Sequence, residues 1–225
     1  MKSNLPAKIR VIFIKLEKSY GKKRWVVHSD PLSELIATIL SQNTSDFNSH
    51  RAYLSLRSRF KTWDQVRKAH VRIITNAIKS GGLADIKANR IKVILNQIYE
   101  ENGKTNLNFL KRWSTEKIRE YLRRFQGVGE KTIACVLLFS LRRPALPVDT
   151  HVLRLSRRLG LVSEKTDAGK AELILEKLVP PQQIYQFHLN LIEHGRKICK
   201  ATNPLCRECV LLNNCNYGKN HMKLF

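Results

Sequence analysis

Acidic side chains are scarce in this chain: 18 Asp and Glu stand against 41 Lys and Arg in 225 residues, a formal charge of +23. An imbalance of that size speaks about partners and association, not about fold. Its natural partner is a polyanion, because each phosphate neutralised by Lys or Arg releases condensed counterions. The excess is not confined to one tail. The first 24 residues hold eight basic side chains against the single acid Glu17, and basic residues punctuate every later segment. A lysine-rich surface serving only solubility is the plainer alternative.

Long apolar runs are also missing. Val11-Ile12-Phe13-Ile14 is broken at once by Lys15, too short for the apolar core of a signal peptide. The longest run, around Ile133 to Leu141, falls far below the ~20 residues a membrane span needs. The expectation is an intracellular protein, cytoplasmic and nucleoid-associated, with no membrane partner. Cysteine is sparse too, and unevenly placed. Four of the five lie in CKATNPLCRECVLLNNC, residues 199 to 215. Intracellular thiols are kept reduced, so this group reads as metal ligands before disulfides. The spacing C-x6-C-x2-C-x5-C suits four thiolates on an iron–sulfur cluster or on zinc, and spacing alone leaves both open. Cys135, in an apolar segment, reads as a buried, inert thiol.

What remains is the composition of a globular protein, 43% hydrophobic with three Trp, eight Phe and six Tyr. That is enough for one large domain or two small ones. Strand alternation is absent, and helical periodicity runs throughout. Ile9, Ile12, Phe13 and Leu16 follow the i, i+3, i+4, i+7 pattern of one helical face. Leu32, Leu35, Ile36, Ile39 and Leu40 repeat it behind Asp30-Pro31, a cap followed by proline at the first helical position. Thr62 and Gln65 have the spacing of a capping box. Ile91, Ile94, Leu95 and Ile98 form a stripe that Asn102-Gly103 ends. Further stripes are Ile118, Tyr121, Leu122 and Phe125, then Val152, Leu155, Ser156 and Leu159. The expectation is an all-α chain of roughly nine to eleven helices at the usual ~10–14 residues each. The clearest break is RRPALP, residues 142 to 147, where two prolines separate one helix from the next.

One segment carries chemistry. In LRRFQGVGEKTIACVLL, residues 122 to 138, a helix runs into Gly127-Val128-Gly129 and an apolar helix leaves near Glu130. Two glycines one apart permit a tight turn and leave the backbone bare, and the N–H groups opening the second helix suit a phosphate. An ordinary helix–helix turn fits the same letters. Lys131 falls in that helix's first turn, where the dipole and neighbouring cations favour the free amine, a nucleophile suited to Schiff-base chemistry. It is also one of 41 basic residues, most of them simply solvated. Eighteen residues on, Asp149 precedes another helix, as an N-cap or as a carboxylate that stabilises a cation and relays a proton.

Taken in order, FQGVGEKTIACVL, PVDTHVLRL and the four-cysteine spacing resemble the endonuclease III branch of the helix-hairpin-helix DNA glycosylases. LSQNTSD at 40 to 46 is similar to the LSAQATD-like segment of that family, and IKSGGLADIKANRI at 78 to 91 to its IKxxGLxxxKAxxI stretch. The resemblance implies two all-α domains with the active-site cleft between them. The six-helix domain with the helix-hairpin-helix is residues 25 to 143. Residues 1 to 24 and 144 to 225 form the other, with a C-terminal 4Fe–4S cluster. Cys199, Cys206, Cys209 and Cys215 are then the cluster's ligands, and the loop they staple offers Lys200, with Arg196, Lys197 and Arg207, to DNA phosphate.

The implied activity is that of a bifunctional DNA glycosylase and abasic-site lyase. It would be a monomer acting on double-stranded DNA with a damaged or mismatched base. Lys131 is implied as the Schiff-base nucleophile and Asp149 as its acidic partner. Gly127 and Gly129 hold the backbone, with a monovalent cation at the hairpin. Asn43 and Leu83 fill and wedge the gap left by the flipped nucleotide. One departure stands out: the family's usual Gln aligns with Asn43, while Gln42 sits one place earlier. LSQN and PALPVDTHVLRL also resemble plant 5-methylcytosine glycosylases. Oxidised pyrimidines are the expected substrates, with mismatched thymine or uracil, or a methylated base, as alternatives. A non-catalytic, cluster-carrying DNA binder and a redox carrier are the readings from other classes.

Overall fold

The computed structural model describes residues 6–222. Among them there is no strand, and the chain is all-α as expected. Twelve α-helices follow in order: α1 (Ala7–Tyr20), α2 (Pro31–Ser41), α3 (Asp46–Arg59), α4 (Trp63–Lys68), α5 (Val71–Ala77), α6 (Ala84–Asn102), α7 (Thr115–Arg123), α8 (Glu130–Phe139), α9 (Thr150–Arg158), α10 (Ala168–Leu178), α11 (Ile184–Lys197) and α12 (Asn216–His221). The count exceeds the nine to eleven expected because α4, α5 and α12 have only six or seven residues. No helix among the described residues is long and apolar enough to cross a membrane.

The chain divides into two compact units. The first runs over Val27–Arg143 and holds α2 to α8. The second joins residues up to Val26 with those from Pro144 onward, holding α1 and α9 to α12.

In the first unit α8 is the buried element: every residue from Thr132 to Phe139 is inside. A helix apolar all round has to be surrounded, and α2 and α7 pack on it. The α2 stripe Leu32, Leu35, Ile36, Ile39 and Leu40 is fully inaccessible. Burying each such side chain contributes roughly 1.5–3 kcal/mol. Asp30 opens α2, its Oδ1 accepting the N–H of Leu32 and of Ser33 at 3.1 Å. Both halves of the Thr62–Gln65 capping box are formed. Gly103, at φ +66°, ends α6 and returns its N–H to the Tyr99 carbonyl at 2.7 Å. In the second unit α1 buries Ile9, Ile12 and Leu16 and packs on α11, while Phe13 stays half-exposed. The α9 stripe of Val152, Leu155 and Ser156 also packs on α11.

Candidate functional site

The hairpin between α7 and α8 is a tight turn whose conformation explains its glycines. Gly127 has φ +77°, the left-handed region that favours glycine, and a Cβ there would lie 2.2 Å from the guanidinium carbon of Arg90, so any side chain would also push that guanidinium aside. Gly129 is the N-cap of α8, with φ −99° and no side-chain cap, and a Cβ on it would meet nothing within 4 Å. The first amides of α8 therefore have no side-chain oxygen over them. Glu130, the first residue of α8, turns to α7 instead, pairing with Arg119 at 3.3 Å and Arg123 at 2.7 Å. Those arginines, led by the Arg123 hydrogen bond, hold its carboxyl below the usual range.

Gln42 and Arg90 hold the hairpin from outside, and Lys87 ties the segments beside it. Gln42, just past α2, donates from Nε2 to the Gly127 carbonyl at 3.0 Å and to Thr132 Oγ1 at 3.4 Å. Its Oε1 accepts from Arg90 Nη1 at 2.7 Å. Lys87, one turn earlier on α6, is 2% exposed and donates to the Leu40 and Gly81 carbonyls, both at 2.8 Å. One buried ammonium thus ties the end of α2 to the turn before α6. The available signal was a lysine four residues ahead of Ile91, in line with the apolar stripe of α6.

Those two tied segments carry Asn43 and Leu83. Both are exposed, and both are non-glycine residues in the left-handed region, at φ +53° and +50°. Such a conformation costs on the order of 1–2 kcal/mol per residue, strain that the Lys87 clamp holds in place. Gln42, by contrast, has its side chain committed to the hairpin.

Lys131, the second residue of α8, is half-exposed. Its charge acts on Glu34 of α2, the helix packed against α8. Ser29 Oγ donates to Glu34 Oε2 at 3.0 Å. Burial pushes the Glu34 carboxyl up, while the Ser29 hydrogen bond and the Lys131 charge pull it back only in part. A carboxyl whose folded pKa exceeds its unfolded value costs stability when ionised, and that cost fades as the pH falls through the folded pKa. Glu34→Gln is therefore expected to raise the thermal unfolding midpoint at neutral pH and to leave it unchanged at acid pH. An equal gain at both would contradict this account of Glu34.

In the second unit Asp149 is the N-cap of α9, its Oδ1 accepting the Val152 N–H at 2.8 Å. Its side chain is half-buried. Cys199, Cys206, Cys209 and Cys215 line one small cavity with Leu205 and Leu212. Among the described residues no group of three or more His, Cys, Asp or Glu is arranged to hold a metal ion. Cys215 Sγ donates to the Arg158 carbonyl at 3.3 Å, and polar groups also approach three of the sulfurs. Arg158 Nη1 donates to Cys199 Sγ at 3.3 Å, the Gly218 N–H to Cys215 Sγ at 3.2 Å, and His194 Nε2 stands 3.4 Å from Cys209 Sγ. His194 is buried, which pushes its pKa down to about 4 and keeps it neutral, and its Nδ1 meets Tyr20 OH at 2.8 Å. Burial first, then the neighbouring thiols, pushes Cys206, Cys209 and Cys215 up, Cys209 to about 11. Three such thiols ionise together only around a strongly positive centre.

The loop framed by these cysteines is held by α9. Arg158 donates to the Lys200 carbonyl at 2.7 Å and the Ala201 carbonyl at 3.0 Å, and Arg154 to the Cys199 carbonyl at 3.0 Å. Lys200, Arg196 and Arg207 are exposed, while Lys197 pairs with Glu193 at 2.7 Å. Cys135 is buried in α8.

Residues 36–181 match the HhH-GPD superfamily of base excision DNA repair proteins. The chain is 37% identical over 195 residues to endonuclease III of Thermotoga maritima, covering 87% of each. It is 42% identical over 168 residues to the candidate DNA glycosylase At3g47830 of Arabidopsis thaliana, 75% of this chain but only 57% of that one. Two solved structures, a non-covalent endonuclease III–DNA complex and a trapped covalent endonuclease III–DNA intermediate, superpose with TM-scores of 0.84 and 0.82. Each is 28% identical and covers 97% of this chain and 100% of the other. The chain belongs to the HhH-GPD superfamily, and within it to the DNA glycosylases of base excision repair related to endonuclease III.

Proposed function

We propose that this protein, as a monomer on double-stranded DNA, removes an oxidised pyrimidine and then cuts the strand through a lysine Schiff base. The observation that carries the reading is the position of Lys131: the first turn of α8, directly after an uncapped glycine hairpin, in a chain so similar to endonuclease III. The target nucleotide leaves the stack, because its glycosidic bond is inaccessible within the duplex. The Gly127–Gly129 hairpin holds the backbone, and Asn43 and Leu83, two exposed and pre-strained tips, occupy the gap and press on the opposite strand. The Gln126 and Val128 carbonyls accept no hydrogen bond among the described residues and are the oxygens open to a monovalent cation.

The Lys131 amine lone pair attacks C1′ as the bond from C1′ to the base breaks, and the base leaves with that electron pair and takes a proton. In this reading Asp149 supplies the negative charge that stabilises the cationic sugar. The sugar ring opens at C1′–O4′ to give a protonated Schiff base. Loss of a C2′ proton then expels the 3′ phosphate by β-elimination. Incubation with a duplex carrying one thymine glycol tests the reading. Wild type is expected to cut the strand without alkali. Cutting only after alkali would mean base removal without lyase activity, and no cutting in either case would sink the substrate assignment.

Cys199, Cys206, Cys209 and Cys215 would hold a 4Fe–4S cluster whose work is structural, stapling the loop that offers Lys200 and Arg207 to phosphate. Cys209→Ser is expected to strip iron and sulfide from the purified protein and to lower its thermal midpoint. Full metal content, or zinc in place of iron in the wild type, would contradict the assignment.

A further inference from the structure

The Arg90 guanidinium lies against the open face of Gly127. A Cβ there would be 2.2 Å from its Cζ, 2.3 Å from Nε and 2.6 Å from Nη1. Arg90 comes from α6, far along the chain, and is half-buried. It has no carboxylate partner among the described residues, and its one hydrogen bond is from Nη1 to Gln42 Oε1 at 2.7 Å. Gln42 in turn holds the Gly127 carbonyl at 3.0 Å. A guanidinium carries five N–H donors in a planar fork. Here one of them orients the group on the hairpin, and the Nε and Nη2 donors find no acceptor among the described residues. The other cation on this face of α6, Lys87, is consumed internally by two carbonyls.

We propose that Arg90 is a side-chain arm of the hairpin's phosphate grip, donating to the DNA phosphate that the hairpin amides hold, with Gln42 as its positioning residue. The proposal rests on the reading that the hairpin binds the DNA backbone. A planar fork with its Nε and Nη2 groups spare suits a phosphate, and the pairing of Arg90 with Gln42 sets its angle before DNA arrives. On this account Gly127 is glycine for a second reason besides its φ: any side chain would displace the arm.

The test is the affinity of the full chain for an undamaged duplex, read by fluorescence anisotropy through a salt titration. One lost phosphate contact lowers the slope of log K against log salt by about 0.9. Arg90→Met is expected to show that fall, and Arg90→Lys, which keeps the charge, to preserve the wild-type slope at weaker affinity. Should Arg90→Met fail to fold, Arg90→Gln decides, being neutral yet able to donate to Gln42. A folded neutral variant with the wild-type slope overturns the arm, whatever its affinity. Gly129→Val separates this from the hairpin reading, because φ −99° and the open space at Gly129 accept valine. Weakened binding by Gly129→Val upholds the hairpin even where Arg90 fails. Wild-type binding by Gly129→Val overturns the grip and the arm with it.

Discussion

Lys131→Ala is expected to abolish strand cleavage at a lesion or abasic site, slowing it by on the order of 10³-fold or more, as when a nucleophile is removed. Affinity for undamaged duplex stays nearly intact, because the hairpin amides belong to the backbone and survive the substitution. Alanine is a good helix former, and Lys131 is half-exposed, so α8 keeps its packing. The check is a denaturing-gel cleavage assay beside an anisotropy titration. Cleavage that persists at the wild-type rate would remove the lysine from the chemistry. Loss of both activities together would make Lys131 a phosphate contact and favour a non-catalytic DNA binder.

Asp149→Asn is the second large effect, because it separates two roles that coexist in one side chain. Asparagine caps a helix about as well as aspartate, so the bond to the Val152 N–H and the fold are retained. The negative charge is lost. Base release is expected to fall by about 10²–10⁴-fold, the usual contribution of a positioned acid–base group, while the unfolding midpoint stays within experimental scatter of wild type. Wild-type base release by a well-folded Asp149→Asn would reduce Asp149 to a cap.

The helices and their ends were legible because they follow local rules. The α2 stripe behind Asp30, the Thr62–Gln65 box and the stop at Gly103 each depend on neighbours within a few positions. The hairpin was legible as a motif, since Gly127-Val128-Gly129 ahead of Lys131 is contiguous. What holds the hairpin was not. Gln42 meets Gly127 across 85 positions, and Arg90 meets Gln42 across 48. No periodicity encodes such a contact, because its cause is the packing of α2, α6 and α8 around one turn. Glu34 escaped notice for the same reason: a single acid in an apolar helix becomes informative only beside Lys131. Gln42 shows how a departure from a family pattern acquires meaning. One place before Asn43, its side chain is tied to Arg90 and the Gly127 carbonyl, while Asn43 is the residue left exposed. The cysteine spacing identified four ligand candidates but not their surroundings, which arise from α9 and α11 folding over the loop.

The most direct test of the central claim is borohydride reduction of wild-type protein on a duplex containing one thymine glycol, with an abasic-site duplex alongside. A covalent protein–DNA adduct on both duplexes, absent with Lys131→Ala, is the predicted result. An adduct on the abasic duplex alone would keep the lyase and move the substrate toward a mismatched or methylated base. No adduct on either would contradict the Schiff-base mechanism.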